Sequence, residues 1–117
     1  MKVCHLTSVH PRNDARIFIK ECQSIVKNGF DVSLIVADDK GNETISDVSV
    51  YDVGKQSSRL KRVNKTPKDV YKKALEINAD VYHFHDPELI KIGSKLIKKG
   101  KKVIYDVHED VPKIIHF

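Results

Sequence analysis

The sequence predicts an α/β fold, with a doubly wound, mostly parallel sheet and helices on both faces. Two observations favour it. Short apolar stretches alternate along the chain with amphipathic stretches of helical period, as in strand–helix–strand units. Polar side chains suited to chemistry follow directly after the predicted strands, at the edge where such sheets bind ligands. Counting strands along the chain, we expect the order 3-2-1-4-5.

The composition fits one small globular domain. Of 117 residues, 40% are hydrophobic and 32% charged, which is ordinary for a soluble protein. Cys4 and Cys22 fall in a predicted strand and a predicted helix, so we expect buried thiols and no disulfide. No apolar run approaches the ~20 residues that span a membrane, and a strand begins the chain where a signal peptide would stand. These features predict a cytoplasmic protein.

Five stretches are predicted strands because apolar residues, most of them β-branched or aromatic, dominate them. They are Lys2 to Leu6, Val32 to Ala37, Val48 to Val53, Val81 to Phe84 and Val103 to Val107. The second is a nearly continuous apolar run, typical of a strand covered on both faces. Only about ten residues connect it to the third, and a parallel crossover usually needs a dozen or more. We therefore expect the third strand to be an antiparallel edge strand.

Three helices are predicted from apolar residues recurring at i, i+3, i+4 and i+7. They run from Asn13 or Asp14 to Asn28, from Thr66 to Asn78, and from Pro87 to Lys99. The second has Thr66 as its N-cap, followed by proline, and the third has Asp86 as its N-cap before Pro87. The residues from Gly54 to Lys65 are predicted to form a basic loop. The tail from Val111 to Phe117 resembles the start of a further helix.

Polar residues converge at the carboxyl ends of the predicted strands. His83 and His85 alternate along the fourth strand, so both should point to one face, close to Asp86. His10 follows the first strand, and His108 and Glu109 follow the fifth. For a single histidine a structural role is the commoner explanation, but several at one sheet edge favour a functional site.

Several kinds of chemistry are excluded or left open by motif. The sequence has no G-x-G-x-x-G after its first strand and no Walker or G-x-S-x-G motif. A metal site built on the His-x-His-Asp cluster is one hypothesis, since imidazole and carboxylate are common ligands. The other is a polar pocket in which imidazoles and a helix N-terminus bind sugar hydroxyls and phosphates.

Positive charge is concentrated in two stretches. The net charge is +5, yet residues 55–73 contain eight basic residues and one acid, and residues 91–102 contain six lysines and no acid. Two interpretations are open: solvated helix faces, or the footprint of an anionic partner such as lipid headgroups or phosphate. The candidate contacts are Arg59, Lys61, Arg62 and Lys65. No nucleic acid is expected, because these stretches lack interleaved exposed aromatic residues and the sequence has no nucleic-acid-binding motif.

Three stretches carry a family resemblance. The run MKVCHLTSVHPRNDARIFIKECQSIVKNGFDVSLIVADD resembles the start of bacterial retaining glycosyltransferases of the GT-B fold, which build capsular and other surface polysaccharides. DVYHFHDPELI and KVIYDVHEDVP resemble the fourth- and fifth-strand motifs of that group. The resemblance implies that residues 1–117 form an N-terminal, acceptor-side Rossmann-like domain.

The resemblance also implies roles for individual residues. His85 would be catalytic, at the reaction centre, and His108 would line the same cleft. Relatives carry a Gly-Gly pair in the loop after the first strand, close to the donor phosphates, where this chain has Arg12 and Asn13. The residues expected to bind substrate are therefore His10, Arg12, Asn13, His83, Asp86, His108 and Glu109. No metal and no cofactor is expected beyond the nucleotide-sugar donor.

The family has a second, nucleotide-sugar-binding domain, which is absent from this sequence. We therefore expect an N-terminal fragment that is inactive alone; the intact enzyme would transfer a sugar from a nucleotide-sugar to an acceptor hydroxyl with retention. Expected partners are a sugar or lipid-linked acceptor, the missing domain, and the anionic inner face of the membrane. A homodimer through the strand 103–107 and the tail is also expected. The alternatives are a metal-dependent hydrolase and a non-catalytic flavodoxin-like module.

Overall fold

The strands form one seven-stranded sheet in the part of the chain that the structure describes. A computed structural model describes residues 1–7, 16–84, 86–105 and 113–114, with the backbone alone for 16–21 and 113–114. The strands are β1 Lys2–Leu6, β2 Asp31–Val36, β3 Glu43–Ile45, β4 Val48–Asp52, β5 Val81–Phe84, β6 Lys102–Tyr105 and β7 Lys113–Ile114. Their order is β3-β4-β2-β1-β5-β6-β7. The predicted order of the five inner strands is confirmed.

Helices cover both faces of this sheet, as predicted. They are α1 Arg16–Lys27, α2 Arg59–Ile77, a short 3-10 helix Pro87–Leu89, and α3 Ile90–Lys98. Helix α1 packs against β2 and β4, whereas α2 contacts β1 and β2 and α3 contacts β6. The fold class is therefore the α/β class that the sequence predicts.

Strand alternation divides the buried residues between two clusters, one on each face. Cys22 of α1 packs with Val32, Leu34 and Val36 of β2 on one face. Ile35, the residue between Leu34 and Val36, lies in the cluster on the α2 and α3 side. Covering both faces explains why β2 is apolar almost throughout. Both cysteines are free and buried, as expected.

The prediction of an antiparallel third strand is wrong. Strand β4 pairs parallel to β2, with Val32 opposite Val48. The antiparallel strand is β3, in a segment predicted to be a turn, and it pairs with the outer side of β4. Ser46 and Asp47 make the turn between them with φ values of 48° and 67°, the left-handed geometry of a tight hairpin. Because the chain returns along an edge strand and needs no crossover helix, a short connection suffices.

The N-cap of helix α2 lies eight residues earlier than predicted, at Ser58 instead of Thr66, so the expected loop from Gly54 to Lys65 is helical from Arg59 onward. Ser58 is the N-cap, and its Oγ accepts a hydrogen bond of 3.2 Å from the Lys61 N–H. Pro67 lies inside the helix, where it forgoes one backbone hydrogen bond. Thr66 is thus a buried residue inside the helix and not the N-cap that the sequence predicts.

The tail also differs from its prediction. Lys113 and Ile114 form a strand, not the start of a helix, and Ile114 pairs with Ile104 of β6 in antiparallel register. The expected open edge is therefore covered at Ile104 and Tyr105, because backbone groups of an edge strand readily bond to any strand within reach. The homodimer itself stays a prediction, and most of the tail lies outside the described residues.

Candidate functional site

A buried hydrogen bond joins the carboxyl ends of β1 and β5. Thr7 Oγ1 donates to Asp86 Oδ2 over 2.9 Å. Both residues are buried, and the Thr7 N–H donates to the Ile35 carbonyl 3.0 Å away. The parallel β1–β5 pairing brings the two side chains together, since Leu6 lies opposite Phe84 just before them. A carboxylate and a hydroxyl are therefore held at the switch point of the sheet.

Asp86 stands at the N-cap position predicted for it, but its side chain makes no capping hydrogen bond. The carboxylate turns toward Thr7 instead, while the Asp86 carbonyl accepts from the Leu89 N–H at 3.0 Å. The role of Thr7 was missed from sequence. The available signal was its position as the first polar residue after a strand expected to neighbour the fourth.

Two imidazoles lie side by side within the sheet, one residue before the Leu6–Phe84 pair at the ends of β1 and β5. His5 and His83 are register partners on β1 and β5, and their ring centroids are 4.5 Å apart with planes inclined by 35°. His5 is only 1% exposed. Burial, and secondarily the neighbouring His83, lowers the pKa of His5 to about 3. His5 is therefore neutral at physiological pH. It is not among the site residues that the sequence predicts.

The remaining predicted site residues lie outside the described residues: His10, Arg12, Asn13, His85, His108 and Glu109. Among the predicted set, the structure thus places His83 and Asp86 at the end of β5. Among described residues, no group of three or more histidine, cysteine or acidic side chains could hold a metal ion. The metal hypothesis depends on His85 and is not tested by that result.

The four predicted anion contacts divide into two pairs. Arg59 and Arg62 line a cavity of about 210 Å³ at the N-terminus of α2, whose walls also include Lys55, Ser57, Ser58 and Thr66. Lys61 and Lys65 are exposed and are not part of its wall, and Lys65 Nζ lies 2.9 Å from Asp69 Oδ2. The basic stretch therefore combines residues that line the cavity, of which Arg59 is itself exposed, with an outward-facing pair, Lys61 and Lys65.

A larger groove of about 660 Å³ separates α2 from α3. Its walls are mostly apolar and basic, with one acidic residue, Glu88; they include Val63, Tyr71, Ile90, Lys68, Lys91 and Lys95. Lys95 Nζ lies 5.2 Å from the centroid of the Tyr71 ring, a cation–π contact. Nearby Leu60 is 72% exposed. Apolar and cationic side chains thus share one surface of the domain.

The described part of the chain contains no helix with the length and apolar character to cross a bilayer. No family model matches the sequence, and no curated protein matches it significantly.

Among solved structures, the chain resembles a sucrose-phosphate synthase from Thermosynechococcus elongatus, with a TM-score of 0.65 and 10% sequence identity. The likeness covers 93% of this chain and 33% of the synthase chain, so the present chain spans about a third of that protein. At this identity the likeness concerns the fold. The chain therefore shares its Rossmann-like α/β fold with about a third of that synthase chain.

Proposed function

We propose that this chain is the N-terminal, acceptor-side domain of a retaining glycosyltransferase that acts in surface polysaccharide synthesis. In the intact enzyme a second domain would bind the nucleotide-sugar, and an acceptor hydroxyl would receive the sugar. One observation carries the proposal: a glycosyltransferase structure matches almost the whole of this chain while the chain matches only 33% of that structure. This is the relation expected of one domain of a two-domain enzyme.

The carboxyl edge of the sheet supplies the acceptor side of the proposed cleft. His85 follows β5 directly and would contact the transferred sugar as the leaving phosphate departs. Its neighbour Asp86 is buried and held by Thr7, which fixes the chain on one side of His85. Such pre-organisation is effective because the polar group need not reorient as charge develops in the transition state.

Loops on both sides of β5 would complete the cleft. We assign the loop with His10, Arg12 and Asn13 to the side facing the donor phosphates, and His108 and Glu109 to the opposite wall. His83 stands one alternation before His85, against the neutral imidazole of His5. His83 would therefore form part of a polar floor for sugar hydroxyls. Because the neighbouring His5 imidazole is neutral, this floor would offer hydrogen bonds and no fixed positive charge.

Membrane attachment is a further part of the proposal. Leu60 and Val63 are exposed on α2 at 72% and 46%, beside Lys61 and Lys65. An apolar and basic surface of this kind suits an anionic bilayer, where lysines meet headgroups and apolar side chains enter the interface. It would hold the domain on the inner face of the membrane, next to a lipid-linked acceptor.

The test is a transfer assay on the intact enzyme with a panel of nucleotide-sugars. We expect transfer to an acceptor hydroxyl, and NMR of the first-formed product should show the anomeric configuration of the donor. The 117-residue chain alone should give background only. Inversion, release of free sugar without transfer, or sustained turnover by the 117-residue chain would contradict the proposal.

A further inference from the structure

We propose that the cavity at the N-terminus of α2 is a phosphate-binding subsite. Its ligand would be the phosphate or diphosphate group of a phosphorylated acceptor. Assigning that phosphate to the acceptor rests on the proposed function, whereas the subsite itself rests on the cavity. The cavity holds about 210 Å³, several times the ~30 Å³ share of one water, which is room for a phosphate group.

The charged side chains that line the cavity are all basic. Lys55, Arg59 and Arg62 line it, and no acidic residue does. The Nε of Arg62 is buried and makes no hydrogen bond within the described residues. Glu88 Oε1 lies 3.7 Å from this nitrogen, which is ion-pair range but too long for a hydrogen bond. Arg62 therefore has donor capacity for an anion.

Thr66 provides an independent observation. It is fully buried and lines the same cavity. Its Oγ1 has no hydrogen-bond partner among the described residues, although buried hydroxyls are nearly always paired and leaving one unpaired is unfavourable. A phosphate oxygen in the cavity would give this hydroxyl an acceptor.

The helix terminus itself favours an anion. Ser58 takes the Lys61 N–H through its side chain and the Arg62 N–H through its carbonyl. The N–H groups of Arg59 and Leu60 lie in the first turn, where they have no intrahelical acceptor. The first turn of this 19-residue helix contains no acidic residue and is instead basic, which is unfavourable next to the positive end of the helix dipole. Bound phosphate would reverse that mismatch.

The position of the cavity links it to the candidate site. Ala37, which follows β2, forms part of the wall, so the cavity opens at the carboxyl edge of the sheet. Arg62 reaches from its wall to Glu88, two residues after Asp86. A phosphate held here would place the rest of an acceptor molecule near the end of β5, where we propose that the sugar is received.

The experiment is a titration of the 117-residue chain with inorganic phosphate and pyrophosphate against chloride of equal ionic strength, followed by backbone amide NMR. We expect the Arg59, Leu60 and Thr66 amides to shift along saturable curves. Arg59→Gln and Arg62→Gln should each weaken binding about tenfold, the effect of one charge-assisted hydrogen bond. Thr66→Val, which keeps the side-chain shape, should weaken it about fivefold, as for a neutral hydrogen bond.

Lys61→Gln is the matched control, since it removes the same charge from the same turn without touching the cavity wall. It should change affinity for phosphate less than about twofold, because Lys61 does not line the cavity and a solvent-exposed charge away from the bound ion is screened. An equal loss in Lys61→Gln and Arg59→Gln would overturn the subsite in favour of diffuse surface charge. Thr66→Val keeps the charge unchanged, so normal phosphate binding by a folded Thr66→Val chain would also contradict the proposal.

A vesicle arm separates the two sources of phosphate. If phosphatidylglycerol vesicles bind the chain while inorganic phosphate and pyrophosphate do not, the surface recognises lipid and the subsite is wrong. Phosphate binding is measured without sugar transfer. The subsite can therefore hold when the transferase proposal fails, and it can fail when transfer is observed.

Discussion

Burial of a titratable side chain beside the candidate site gives the folded domain a defined response to acid. His5 is 1% exposed, and its pKa is lowered to about 3 by burial first and by His83 second. An ordinary histidine has a pKa of about 6.5. Between these values the unfolded chain binds a proton at His5 that the folded chain does not. His5 therefore does not reduce the free energy of unfolding above about pH 6.5, and it reduces it increasingly as the pH is lowered toward 3.

We expect the free energy of unfolding to fall by up to about 1.4 kcal/mol per pH unit below pH 6 from His5 alone. Urea unfolding at a series of pH values gives the free energy of unfolding as a function of pH. Below pH 6 this free energy should fall less steeply for His5→Gln than for the unchanged chain. NMR titration of the His5 imidazole, which needs no variant, should show no protonation near neutral pH. Equal slopes together with an imidazole titrating near 6.5 would contradict the prediction.

His85 carries the catalytic part of the proposed function. In the intact enzyme, His85→Ala should lower kcat by about 100-fold or more, the scale of one polar transition-state contact. The unfolding midpoint should stay unchanged. His116→Ala, which removes a histidine outside the predicted site, is the control and should retain activity. A destabilised His85→Ala enzyme with normal turnover would instead give His85 a structural role.

At the scale of elements, the contact between α3 and β5 depends on a missing side chain. A Cβ on Gly93 would lie 2.8 Å from Cε1 and 3.1 Å from Cζ of Phe84. That ring is fully buried and is stacked on Tyr105, with centroids 4.8 Å apart. The ring has little room to move, so α3 can approach the sheet only where its sequence has glycine.

Gly93→Ala should therefore destabilise the domain despite the better helix propensity of alanine. Overpacking costs about 1–3 kcal/mol, and the propensity gain returns at most about 1 kcal/mol. Chemical denaturation should show a net loss on the order of 1 kcal/mol. Ser94→Ala, at the next position of the same helix, is the control and should be neutral or slightly stabilising. Equal stability of the two variants would refute the close-packing argument.

The outward-facing part of α2 leads to a separate prediction about the membrane. Lys61→Gln combined with Lys65→Gln should weaken binding to phosphatidylglycerol vesicles by up to about 1 kcal/mol per charge. The difference should shrink with added salt, since exposed charges are screened. Lys98→Gln with Lys99→Gln, at the far end of α3, is the charge-matched control in a sedimentation assay. Equal effects of the two pairs would leave only a solvated helix face.

For the whole molecule, the sequence predicts the arrangement of elements better than their ends. Continuous apolar character placed β2 inside the sheet, and the strand order followed from alternation with helices. The direction of β4 was predicted wrongly because the strand before it, Glu43–Ile45, has only three residues. So short a strand shows almost no alternation of apolar and polar residues in the sequence. Ser58 and Thr66 are both favoured N-cap residues, and only the structure shows that α2 begins after the first.

For the candidate site, too, the sequence predicts which residues lie at the sheet edge better than it predicts their contacts. Sequence placed His83 and Asp86 at the carboxyl edge, because that requires only the strand and its end. It could not reveal that Asp86 turns toward Thr7, since the two are far apart in sequence and meet through strand pairing. The cavity at Arg59 and Arg62 depended on a helix start that the sequence misplaced.

Association of whole chains is the last prediction. We expect a homodimer through the strand 103–107 and the tail; because β7 of the same chain covers β6 at Ile104 and Tyr105, the second chain would have to add beyond β7. Light scattering at high protein concentration should give twice the mass of one chain. Ile114→Lys, which places a charge on β7, should return the chain to a monomer. A monomeric parent chain at the highest soluble concentration would exclude the dimer.

The opposite edge of the sheet behaves differently in this respect. Strand β3 is only three residues long, and its exposed positions carry Glu43 and Thr44. The tight turn at Ser46 and Asp47 ends it immediately. A short, charged edge is a poor template for another chain. Strand β3, which lets β4 run parallel to β2, therefore also protects this edge from pairing with another chain. Addition of strands from a second chain is then expected only on the β7 side of the sheet.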